Sequence, residues 1–68
     1  MVKVFAERFK ELRLERGIGQ EQLAKELGVG KATISLWENG LREPKLYGLA
    51  TIAQYFGVTI DYLAGLED

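Results

Sequence analysis

The stretch QEQLAKELGVGKATISLWENG, residues 20–40, decides the reading of this chain. Leu23, Ala24 and Leu27 recur at helical spacing and predict a helix over about 20–27. Gly28 ends that stripe, and a glycine there suits a left-handed turn. Gly30 opens a second segment, where Ile34 and Trp37 form the large apolar pair at helical spacing. The small Ala24 lets the two helices cross closely. The second helix, about 31–39, keeps one face clear of core residues.

The same logic extends in both directions. Phe5, Phe9 and Leu12 predict a first helix over about 3–16, with Leu14 off the stripe and Gly17 as its stop. The segment LREPK, residues 41–45, is a loop, because proline disfavours helix in the residue before it. Leu46, Leu49, Ile52, Ala53 and Phe56 predict a fourth helix over about 45–56, ended by Gly57. Gly48 inside it costs roughly 1 kcal/mol against alanine and is expected to mark a close backbone contact. Val58, Ile60 and Leu63 belong to a short fifth helix, with Thr59 as its N-cap and Asp61 in its first turn. Glycines at 17, 28, 40 and 57 each fall just past a periodic stretch. The expectation is a single domain over residues 1–68, an all-α compact five-helix bundle with a helix-turn-helix formed by helices 2 and 3.

Composition narrows the function classes. With 68 residues the chain lies near the lower limit for an unaided core, and 47% hydrophobic residues suffice for one. There is no cysteine and no histidine, hence no thiolate nucleophile and no neutral-pH imidazole base. No paired carboxylates and no phosphate loop are present, so no enzyme, metal site, cofactor or small-molecule ligand is expected. The N-terminus MVKVFAERFKE is charged too early for a secretory segment, and no apolar run approaches the ~18 residues of a membrane span. A cytoplasmic protein without membrane contact is the default.

Net charge is −1, against the strongly basic balance usual for nucleic-acid binders. The distribution tells more than the total. Residues 1–45 carry all nine Lys and Arg against seven acids, and residues 46–68 carry only Asp61, Glu67 and Asp68. The motif lies in the positive part.

In a helix-turn-helix the second helix enters the DNA major groove. On a helical wheel Lys31, Ala32, Ser35, Leu36 and Asn39 share the side opposite Ile34 and Trp37, with Thr33 and Glu38 on the core side. That outer side holds no acid. Base contact is therefore expected from Lys31, Ala32, Ser35 and Leu36: Lys31 to a guanine edge, Ser35 to a base edge, Ala32 to a thymine methyl. The first N–H groups of helix 2, with Gln20 beside them, suit a phosphate, and Gln20 can equally serve as a cap. Arg42 and Lys45 are further phosphate candidates; such contacts position the protein but read no sequence. Glu38 would be costly near DNA unless paired, and Arg13 is its expected partner, presenting itself towards a phosphate as well.

Residues 46–60, LYGLATIAQYFGVTI, hold no charge. The core takes one face of that helix. A neutral outer face with Tyr47, Ala50, Thr51, Gln54 and Tyr55 suggests a cover, and Tyr47, Thr51, Gln54 and Tyr55 are candidates for a homodimer interface.

FKELRLERG, GQEQLAKELGV, ATISLWENGLREP and LATIAQYFGVTIDYL, taken in order and at this spacing, resemble the Cro/repressor-type helix-turn-helix domain of the xenobiotic-response-element family. The resemblance runs from about Phe5 to Leu63. It implies a lambda-repressor-like fold of five helices and dimeric binding to operator DNA, usually for repression. It also implies a glutamine contact at Gln20, groove-facing positions at Lys31, Ala32, Ser35 and Leu36, an Arg13–Glu38 salt bridge, and a loop on the backbone at Asn39, Gly40 and Arg42. Gly30, Leu36 and Leu41 depart from the pattern, where a hydroxyl cap, a polar or basic residue, and a Lys or Arg are common. The expected function is a sequence-specific, double-stranded DNA-binding transcriptional regulator, acting as a homodimer on a palindromic operator. The alternative is a protein-interaction or antitoxin-type module on the same fold with weak or lost DNA binding, supported by Leu36, Leu41 and the acidic balance.

Overall fold

Phe5 and Phe9 lie one helical turn apart and are both fully buried, and around them forms α1 (Val2–Arg16). The computed structural model describes residues 1–68. It continues through α2 (Gln20–Leu27), α3 (Lys31–Glu38), α4 (Leu46–Phe56) and α5 (Ile60–Ala64), with no strand. The expected all-α five-helix arrangement is the one observed. Boundaries move by a residue or so: α1 starts at Val2, Asn39 caps α3 rather than extending it, and Lys45 caps α4. Thr59 caps α5 as its side chain predicts, its hydroxyl accepting the Tyr62 N–H at 2.9 Å.

The core draws on every helix. Phe5 and Phe9 stack with centroids 5.2 Å apart. Trp37 meets Phe9 edge-on at 5.8 Å, and Phe56 does so from α4 at 6.2 Å. Leu23, Ala24, Ile34, Leu49, Ile52, Ala53 and Leu63 complete the buried apolar cluster. Close packing of so few side chains is what such a short chain has to work with.

Arg8 fastens the C-terminal turn to α1. Its Nη1 donates to the carbonyls of Tyr62 and of Glu67, the latter at 2.6 Å, while its guanidinium lies 4.3 Å from the Tyr62 ring centroid. Gly65 sits in that turn with φ 82°, and a Cβ there would come within 2.9 Å of a Val4 methyl. Only glycine permits both that backbone and that approach.

Gly48 does not mark the close backbone contact expected of it. The nearest atom to a Cβ at this position is the Pro44 Cβ, at an ordinary 3.4 Å, because the buried Pro44 packs beside the first turn of α4. Gly48→Ala should therefore stabilise the domain by about 0.5–1 kcal/mol, by limiting the unfolded chain without straining the helix. A rise in the urea midpoint with unchanged slope would register it, and a fall would mean that Pro44 cannot accommodate the methyl.

Candidate nucleic-acid interface

The two helices of the motif are locked from inside. Leu23 and Ala24 on α2, and Ile34 and Trp37 on α3, are all at most 6% exposed. Between them Gly28 takes φ 74°, a left-handed turn in which its N–H bonds the Lys25 carbonyl and the Val29 N–H bonds that of Ala24. This closes α2 within two residues and starts α3 at once. With Ile34 and Trp37 turned inward, the opposite edge of α3 must face outward. Lys31, Ala32 and Asn39 are exposed, and Ser35 and Leu36 are half-buried.

Glu38 is the junction of three helices. Its carboxylate accepts Arg13 Nε at 2.6 Å and Arg13 Nη2 at 3.1 Å, and Gln20 Nε2 at 3.1 Å. The Arg13 and Glu38 side chains are 11% and 3% exposed. Arg13 Nη1 donates to the Ile18 carbonyl at 2.9 Å. The salt bridge is thus where the spacing placed it. Each of the three Arg13 nitrogens makes one bond inside the domain, and together these brace α1 against α3. Gln20, half-buried, is likewise held by Glu38, a bond that spacing does not announce. Neither α2 nor α3 has a side-chain cap at its N-cap residue, Gly19 or Gly30, so their first N–H groups remain unbonded by side chains.

Asn39 folds back on α3. Its Nδ2 donates to the Ser35 carbonyl at 2.8 Å and to the Ser35 Oγ at 3.2 Å. Arg42 and Lys45 are exposed on the segment after α3, and neither side chain makes a hydrogen bond or ion pair within the chain. Lys31 at the start of α3 is equally unpaired. Three unpaired cations thus stand at the start of α3 and on the segment after it, where Glu43 is exposed as well, and the outer edge of α3 itself carries no carboxylate.

On α4, Tyr47 is 86% exposed and Gln54 is exposed, while Thr51 is half-buried and donates to the Tyr47 carbonyl at 3.1 Å. Tyr55 differs from its assignment to that outer face. It packs against the core, edge-on to Phe56 at 4.9 Å, with the Arg16 guanidinium 4.6 Å from its ring centroid. Its hydroxyl donates to Glu26, which holds that carboxyl below its ordinary range and the phenol above its own. The side chain is committed to tying α4 to α2. The grips of Arg8 and Arg16 are not among the contacts expected from the sequence. Their available signal is a cation on the margin of the α1 apolar stripe. No helix is long and apolar enough to cross a membrane.

A family model described as helix-turn-helix matches residues 9–63. The chain is 41% identical over 64 residues to the HTH-type transcriptional activator BcrR of Enterococcus faecalis, covering 94% of this chain and 31% of that protein. It is 39% identical over 57 residues to the cryptic phage CTXphi transcriptional repressor RstR of Vibrio cholerae, covering 84% and 51%. An uncharacterized HTH-type transcriptional regulator of Methanocaldococcus jannaschii is 39% identical over 61 residues, covering 90% and 92%. The chain therefore spans a third to a half of the length of the first two relatives and nearly all of the third. No solved structure matches it.

Proposed function

The chain belongs to the Cro/C1-type helix-turn-helix family of DNA-binding transcriptional regulators, and from that premise we propose that it binds a palindromic operator as a homodimer and represses transcription. The observation that carries this reading is the acid-free outer edge of α3, held outward by the burial of Ile34 and Trp37. An eight-residue helix is about 12 Å long, which suits the width of one major groove. Half-sites one turn apart are about 34 Å from centre to centre, and the longest dimension of the domain is 28 Å. One copy therefore reads one half-site, and two copies are needed for two. The uncharged Tyr47–Thr51–Gln54 face of α4, with Tyr47 and Gln54 exposed, is the candidate dimer contact. Repression asks only that the operator be occupied.

In this reading Lys31, Ala32, Ser35 and Leu36 meet base edges. The backbone N–H groups opening α2, with Gln20, and Arg42 and Lys45 meet phosphates. Selection from a random duplex library should return inverted repeats with half-site centres one turn apart. Lys31→Ala with Ser35→Ala should weaken the preference among the sequences returned. Arg42→Ala should weaken all of them alike and reduce the salt slope by about one. A preference that survives the double change intact would remove Lys31 and Ser35 as readers. The other reading, a protein-interaction module, draws on Leu41, 75% exposed; it predicts that no duplex is enriched.

A further inference from the structure

We propose that thymine methyl groups, met by the Ala32–Leu36 pair of α3, set the sequence preference of each half-site. This rests on α3 being the DNA-facing helix and adds which chemical group it reads.

The outer edge of α3 has few hydrogen-bonding groups left to offer a base. Strong base discrimination usually comes from a side chain with two hydrogen-bonding atoms in one plane, such as Arg on guanine or Gln or Asn on adenine. The edge has no Arg and no Gln. Its one amide belongs to Asn39, and the Nδ2 of that amide is spent on the Ser35 carbonyl and hydroxyl. The amide of Gln20, at the start of α2, is directed at Glu38. Lys31 presents a mobile point charge rather than a fork. Ser35 keeps a single O–H to donate.

The apolar side is different. Ala32 is exposed, and Leu36 is half-buried yet stands outside the apolar cluster that takes its neighbours. The two are one turn apart, with Cβ atoms about 5–6 Å from each other. The Leu41 N–H bonds the Leu36 carbonyl, which places a further exposed leucine beside the end of the helix. The thymine C5-methyl is the apolar group that a base pair presents in the major groove. Lys31, Arg42 and Lys45 around this strip, and the lack of any acid on it, favour a polyanion over an apolar protein partner.

The test remakes the best duplex from the random library with deoxyuridine in place of thymine, one position at a time. Pairing is unchanged and only the methyl is lost. One or two positions in each half-site should lose about four-fold in affinity, the ratio expected for one buried methyl. Leu36→Ala should lower affinity for the thymine duplex more than for the uracil duplex and bring their ratio near one. Its thermal unfolding should match that of the parent, since the side chain is outside the core. Equal binding of thymine and uracil duplexes overturns the inference while leaving DNA binding intact. So does a Leu36→Ala loss shared equally by both duplexes. Unaltered binding by Leu36→Ala overturns it too. Failure to enrich any duplex removes the DNA-binding reading and this inference with it.

Discussion

Glu38→Ala is expected to destabilise the domain by about 3–5 kcal/mol, the usual cost of removing one partner of a buried ion pair. The Glu38 side chain is 3% exposed, and its oxygens accept two bonds from Arg13 and one from Gln20. Its loss strands the Arg13 guanidinium in the interior with the Ile18 carbonyl as its remaining partner. A core of this size rarely supplies more than about 3–5 kcal/mol in total, so the variant should be largely unfolded at 25 °C. Urea denaturation followed by tryptophan fluorescence checks this directly, because Trp37 is the single tryptophan and lies in the core. Arg13→Met combined with Glu38→Leu should cost far less than Glu38→Ala alone, since no uncompensated charge remains. A double variant as unstable as the single one would show that shape, not charge, makes this junction.

The helices are legible in the sequence because their information is local. Leu23, Ala24 and Leu27, or Ile34 and Trp37, announce a buried stripe through spacing, and burial of one side of α3 fixes the exposure of the other. The same period therefore puts Lys31 and Ala32 outside. Contacts between helices carry no such period. Arg13 and Glu38 are 25 residues apart, and their pairing is read from family spacing; what spacing omits is that Ile18 and Gln20 complete the network. Once those bonds are counted, each Arg13 nitrogen holds one partner inside the domain, and two of the five guanidinium N–H groups are left. Tyr55 departs from expectation for a related reason. A wheel of α4 shows which residues oppose its own core stripe, but not that the end of α2 and Arg16 come alongside to receive one of them. Asn39 reads as a polar loop residue free to meet DNA; its short side chain reaches its own helix first, as asparagine at a helix end commonly does.

Phe9→Ala should be comparable in cost, about 3–5 kcal/mol, and more far-reaching in its effect on the site. Phe9 is fully buried and touches three aromatic rings: Phe5 of its own helix, Trp37 of α3 and Phe56 of α4. Each such pair contributes about 0.5–1.5 kcal/mol beyond its buried area. Truncation opens a cavity against helices that short connections prevent from closing it. α3 has two buried anchors, Ile34 and Trp37, and loses support under one of them. Phe9→Leu, closer in volume, should cost less than half as much. Thermal unfolding with and without the selected duplex separates stability from recognition. A ligand that binds only the folded state raises stability with the logarithm of its concentration over Kd, so a variant with an intact α3 edge should gain as much from excess duplex as the parent does. Rescue that falls short would mean that Phe9 also sets the tilt of α3 through Trp37. Stability within about 1 kcal/mol of the parent would instead leave the Arg13–Glu38 junction as the main hold on the helix that carries Lys31, Ala32, Ser35 and Leu36.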